Sequence, residues 1–134
     1  MPKPPLPPEF EAILSKPNPC VIATLKPDGA PITVATWYLW ENGRVLVNMD
    51  EGRRRVSHLR ADPRVSLTVL DGERWYRSIG LHGEVTSLED DPDLRNIDRI
   101  ATHYTGRPYS DRTRGRVSAW IDVHTWHKWG FDRG

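Results

Sequence analysis

Cysteine is nearly absent from these 134 residues: Cys20 stands alone. That excludes an internal disulfide framework and a CxxC metal site, and it suits a reducing compartment. No apolar run approaches the roughly 20 residues that span a bilayer. The opening MPKPPLPPEF also lacks the apolar stretch of about 7–15 residues that a signal peptide carries. The chain is therefore expected in the cytoplasm, with no membrane partner. Charge of one sign is lacking too, since 19 Lys and Arg against 18 Asp and Glu leave +1. This is not the balance of a protein built to coat nucleic acid, and no nucleic-acid partner is expected. There is no internal repeat, and the length is about one domain's worth.

What is present is unevenly placed. Five of the 12 prolines fall in residues 1–8, a segment expected to run as an extended arm, with residues 9–134 forming a single domain. Arg53 to Arg64 holds five arginines and one aspartate, whereas Glu89 to Asp93 holds four carboxylates and no base. Six tryptophans exceed what a small core usually holds, and such residues often mark an interface or the bed of a flat ligand.

Local patterns predict a mainly β fold. Cys20 to Leu25 reads as a strand that turns at Lys26-Pro27-Asp28-Gly29. A second strand, Ile32 to Trp40, closes at Asn42-Gly43, a strong hairpin signal, and Arg44 to Asn48 follows as a third. Between Asp50 and Ala61, Val56 and Leu59 lie on one side of a short basic helix for which Asp50 is a candidate cap. Val65, Leu67 and Val69 alternate as a fourth strand. Ile79, Leu81 and Val85 alternate with Ser78, Gly80, His82 and Glu84 as a long fifth, which Gly80 and Gly83 allow to bend. Asp90 or Asp91 with Pro92 is expected to start a second helix, its apolar stripe being Leu94, Ile97, Ala101 and Tyr104. Val117, Ala119, Ile121 and Val123 make the sixth strand. Six antiparallel strands with two short connecting helices suit a small closed or nearly closed barrel, because closure removes unpaired edges.

The strongest chemical signal is Gly52-Arg53-Arg54-Arg55, at the start of the basic helix and just after the strand end Asn48-Met49. Unpaired N–H groups, the positive helix end and forked guanidinium donors together suit a phosphate, although a run of charge can equally be a solvated helix face. His124 and His127 lack a third ligand at matching spacing, so no metal is expected there. His82 and Tyr38 are possible proton donors and equally plain packing residues. Cys20 reads as a buried small hydrophobe, and the acidic run Glu89 to Asp93 as charge that complements a helix N-terminus.

The stretch Arg53 to Val65, basic residues followed by a short apolar-patterned helix, Asp62-Pro63 and a strand, resembles the corresponding helix of the pyridoxamine-phosphate-oxidase-like split-barrel flavoproteins. The hairpin, the Asn48-Met49 strand end, Gly83-Glu84-Val85 and the Trp-containing last strand follow in that family's order, over about residues 9 to 129. Those oxidases end in an Arg-x-His-x-Arg stretch, whereas this tail reads Trp129-Gly130-Phe131-Asp132-Arg133-Gly134. Within the superfamily the chain is more similar to small reductases that depend on the deazaflavin F420.

The resemblance implies a six-stranded split β-barrel in which Arg54 and Arg55 hold a cofactor phosphate, Arg55 foremost, with Arg53, Asn48 and Met49 beside them. It implies that the ring lies along Ile32, Thr33, Val34 and Thr36. A homodimer is implied, its second subunit closing the ring's other side, with Trp75, Trp126 and Trp129 as candidates for that wall or simply for the interface. The implied activity is hydride transfer between F420 and a small unsaturated or electron-poor organic substrate. FMN as the cofactor, and a non-catalytic carrier of either group, remain alternatives. No obligatory catalytic side chain is expected, because the cofactor carries the difficult step.

Overall fold

A computed structural model describes residues 1–131. The chain runs α1 (Pro8–Leu14), β1 (Cys20–Leu25), β2 (Pro31–Thr36), β3 (Leu39–Glu41), β4 (Arg44–Asp50), α2 (Arg54–Ala61), β5 (Arg64–Leu70), β6 (Ser78–Asp90), α3 (Arg95–Thr105) and β7 (Arg116–Trp129). All neighbouring strands pair antiparallel in one sheet of order β2-β1-β5-β6-β7-β4-β3. Its two outermost strands, β2 and β3, are joined by only Trp37 and Tyr38. A link that short reaches about 10 Å, so the sheet must roll until its edges nearly meet. The result is a split barrel.

The core lies inside the roll. Alternation along β1 buries Cys20 and Ile22, and along β5 it buries Val65, Leu67 and Val69. β4 is buried from Val45 to Met49, since it is covered on its second face by α3 as well as by the barrel interior. Tyr38, at the β2–β3 link, is buried and donates its hydroxyl hydrogen to the Leu14 carbonyl at 2.8 Å. No helix among the described residues is long and apolar enough to cross a membrane.

Several expectations are corrected. The described residues hold seven strands, not six, because the predicted strand Ile32 to Trp40 breaks at Trp37-Tyr38 and its two halves join opposite edges of the sheet. They also hold three helices, not two: Pro8 stands at the first position of α1, where a missing N–H costs nothing. The preceding residues pack on the barrel, with Leu6 buried and the Pro2 carbonyl accepting the Trp126 backbone N–H at 3.0 Å. α3 starts at Arg95, several residues later than expected. Leu94 adopts left-handed backbone (φ 58°), and the Asp91 carboxylate reaches past it to accept the N–H groups of Asn96 (3.1 Å) and Ile97 (2.9 Å). The Asn42-Gly43 turn is as predicted, both residues having positive φ (54° and 73°).

Candidate functional site

Beyond the short β3, the last residues of β4 have no strand beside them on the side that faces β2. The split between these strands, capped by the start of α2, is an open cleft of about 750 Å³. It brings together Ile32, Thr33 and Val34 of β2, Asn48 and Met49 of β4, and Arg53, Arg54 and Arg55. Eight of the residues singled out in the sequence thus share one concavity, drawn from three elements that are not all neighbours in the chain. Met49 contributes little side chain, since it is buried in the core. Ile32 and Val34 are exposed and offer the cleft an apolar wall.

Its charge is one-sided. Lys26, Arg53, Arg54, Arg55 and Arg116 line the cleft, and Asp50 is the one carboxylate among its described lining residues. Asp50 is engaged elsewhere, by Arg114 Nε at 2.5 Å and by the Gly52 N–H at 2.8 Å. Arg55 is the most telling member. Its Nε is buried with no hydrogen-bond partner, and burial, then the charges of Arg53 and Arg116, hold its guanidinium below the usual value. Leaving a buried donor unpaired costs about 1–3 kcal/mol, and an anion's oxygens would remove that cost while screening the repulsion. α2 adds to the same effect: its N-cap, Arg53, makes no side-chain cap bond, and of the first turn the Val56 N–H donates to the Arg53 carbonyl at 3.1 Å, which leaves the N–H groups of Arg54 and Arg55 toward the cleft. These residues fit a phosphate.

Among the lining residues that escaped sequence reasoning are Arg116, Tyr109, His58 and Lys26. The Arg116 guanidinium lies over the Tyr109 ring, 4.7 Å from its centroid, and donates from Nε to Asn48 Oδ1 at 2.9 Å. Asn48 is in turn held by donating its amide hydrogens to Asp91 Oδ2 (3.2 Å) and Ser118 Oγ (3.0 Å). Both amide hydrogens of Asn48 are thus engaged, and its Oδ1 orients Arg116. The only signal that could have found Arg116 is the register that pairs Asn48 with Ser118, which puts Arg116 two residues along on the same face. His58 also lines the cleft, with Nδ1 buried and unpaired.

The remaining candidates lie elsewhere. Thr36 lines an adjoining pocket. Trp126, expected at a cofactor wall, is only 7% exposed and packs on Phe10 in the core, centroids 5.3 Å apart. Trp129 is three residues on, an odd offset that a strand sends to the opposite face, so the two cannot form one flat wall. Trp75 and Trp129 are exposed (70% and 62%) and meet through Tyr76 in an aromatic patch outside the cleft. His82 and His127 sit side by side on the outer face of the barrel, Nε2 to Nδ1 at 2.8 Å, with Ser66 Oγ 3.0 Å from His82 Nδ1. His124 pairs with Glu84 instead, at 3.5 Å. Tyr38 uses its hydroxyl in the core, and burial pushes the Cys20 thiol up to about 12. The Asp132 to Gly134 part of the tail lies outside the described residues.

Comparison with known proteins bears on this arrangement. No curated protein matches the chain. Among solved structures, an F420 reductase is similar at 25% identity and a TM-score of 0.82, over 91% of this chain and 98% of that one. A conserved hypothetical protein from Mycobacterium tuberculosis is 24% identical (TM-score 0.75; 95% of this chain, 86% of that one). General Stress Protein 26 from Bacillus anthracis is 18% identical (TM-score 0.68; 90% and 91%). The latter two speak for the fold alone. The family described as pyridoxamine 5'-phosphate oxidase matches residues 6–130, which takes in every strand of the rolled sheet and both sides of its split. The chain belongs to the pyridoxamine 5'-phosphate oxidase family.

Proposed function

We propose that the protein is an oxidoreductase that uses the deazaflavin F420 and reduces a small unsaturated or electron-poor organic molecule. The observation that carries this reading is the buried, unpartnered Nε of Arg55 among like charges at the mouth of the split. Support comes from the similarity to an F420 reductase. Arg55, with Arg53 and Arg54, would hold the phosphate, while Arg116, oriented by Asn48, stands at the rim of the cleft. Ile32 and Val34 would meet the plane of the ring, and the free edge of β2 offers backbone N–H and C=O groups to its polar rim. When bound, the cofactor supplies hydride transfer, and the protein's share is to hold the ring, expose one face and exclude water.

Neither side chain weighed as a proton donor serves here. Tyr38 is sealed in the core, and His82 stands on the outside of β6. Ile32 and Val34 are exposed in the single chain, and a second copy covering β2 would complete the wall over the ring.

The decisive experiment titrates purified protein with F420 and with FMN, following absorption and fluorescence, and then assays turnover with reduced cofactor. F420 is expected to bind and to be consumed. Preferential retention of FMN would replace the cofactor while keeping the enzyme class, and binding of either without turnover would make the protein a carrier.

A further inference from the structure

Beside the cationic cleft lies a second pocket, of about 760 Å³, between β1, the end of β2 and α3. The two share Ala35, Asn48, Tyr109 and Arg116 along a common rim. We infer that this pocket seats the organic substrate and selects a flat, apolar molecule carrying a single negative charge. The inference rests on the proposed function in one respect only, that the neighbouring cleft holds the cofactor.

Shape and chemistry point the same way. The volume is in the range of small-molecule sites, about 300–1,000 Å³. Trp37 lies nearly parallel to Tyr104, with ring centroids 5.3 Å apart and planes 13° from each other. Trp37 is still 38% exposed, so this stacked pair offers an aromatic surface and is not closed core. Leu70, Ile97 and Ile100 add aliphatic wall. Polar groups that could compete are already engaged: the Tyr104 hydroxyl donates to the Asn18 carbonyl at 2.7 Å and accepts the Tyr38 N–H at 3.3 Å. Cys20 also borders the pocket, and burial keeps its thiol neutral.

Charge then decides the class of ligand. Among the described residues the lining contains no Asp, Glu or Lys, and its one formal charge is the Arg116 guanidinium. A cation would lose water there and meet no carboxylate while facing Arg116, with only an aromatic face in return, whereas an anionic group would gain a charge-assisted bond. Arg116 is oriented by the buried Asn48, so its position is built and not merely available. A molecule stacked on Trp37 with its anionic end at Arg116 would lie against Ala35, the β2 residue that borders the cofactor cleft as well.

The test uses the full chain and two probes with one ring system, 2-naphthoate and 2-naphthylmethylammonium, measured by calorimetry. Naphthoate is expected to bind at least tenfold more tightly than the ammonium probe. Trp37→Ala should weaken naphthoate about tenfold and leave the F420 titration unchanged, while Arg55→Ala should do the reverse. Pro17→Asp, on an exposed part of the lining, adds a carboxylate without disturbing the core; naphthoate should bind several-fold more weakly and the ammonium probe more tightly. Equal binding of the two probes overturns the inference. So does naphthoate binding that ignores both Trp37→Ala and Pro17→Asp, or a shift of Trp37→Ala to a smaller species in sedimentation, which would make a second copy the pocket's occupant. If the naphthoate pattern holds but no cofactor titrates, the ligand class of the pocket stands and the proposed function falls.

Discussion

Arg55 carries opposing duties for stability and for binding. On the proposed phosphate role, replacing it with alanine should weaken cofactor binding by about 1.5–3 kcal/mol, or roughly ten- to a hundredfold in affinity. The same change removes an unpaired buried nitrogen and a repulsion with Arg53 and Arg116, so the melting temperature of the unliganded protein should hold steady or rise. F420 titration and thermal melts of Arg55→Ala check both, and unchanged affinity would end the phosphate assignment. His82 supplies a pH dependence. Burial, and after it the charge of His127, lowers its pKa below the ordinary 6.5, so the folded state binds the proton less readily than the unfolded chain. Its stabilising contribution is complete above about pH 6.5 and is lost as pH falls from there toward the lowered value. The carboxylates of Asp62, Asp98 and Asp111 are held below 3.8 by Arg64, Arg112 and Thr113 in turn, so their window lies further down. Melting temperature should therefore fall between pH 7.5 and 5.5, and His82→Gln should flatten that slope; an identical slope in the variant would refute the assignment. Residues of this kind differ in how legible they were. Arg53 to Arg55 announce themselves as a run, whereas Arg116 is one arginine among many until the register of β4 on β7 is known.

Two glycines on β6 separate a tolerant site from an intolerant one. A Cβ on Gly80 would meet the His127 ring, the movable end of a side chain, whereas a Cβ on Gly83 would meet the Asp122 backbone carbonyl where the β6–β7 register shifts. Gly83→Ala should therefore cost at least the 1–3 kcal/mol typical of overpacking. Gly80→Ala should cost less and mainly break the His82–His127 hydrogen bond. Denaturant unfolding of the two variants decides, and a larger loss at Gly80 would contradict the bend. The start of α3 is equally specific. Asp91 is buried and accepts three hydrogen bonds, from Asn48, Asn96 and Ile97. Asp91→Ala should destabilise by about 2 kcal/mol or more and, by releasing Asn48, loosen Arg116 and weaken naphthoate binding too. The same variant measured by melting and by titration should lose in both; a loss of stability alone would separate the cap from the site. Local chemistry was legible where it was self-contained, as in Asn42-Gly43. It misled where a side chain acts at a distance: Asp91 caps a helix that begins beyond a left-handed Leu94. The Trp126 and Trp129 pair failed for a geometric reason, since a shared wall needs an even offset along a strand.

At the scale of the molecule, the edge strand β2, with exposed Ile32 and Val34, and the Trp75, Tyr76 and Trp129 patch are apolar surfaces of the kind that mark an interface. Light scattering is expected to give about twice the 15.4 kDa chain mass, and a monomer that binds F420 tightly would contradict a two-chain site. The barrel itself was legible because six of its strands are marked by alternation and turn residues. The order of strands was not, since nothing local says that the last strand will lie between β6 and β4. That placement bears on the timing of assembly. Until residues 116–129 have been synthesised, the chain can form only two separate pieces, β2-β1-β5-β6 and β4-β3, each with a bare edge waiting for the same missing neighbour. Closure then joins partners as distant in sequence as Arg44 and Asp122, so the entropy of a long loop must be met before the pairing returns anything. Nascent chains should stay sensitive to protease until β7 has cleared the ribosome, and then gain protection in a single late step.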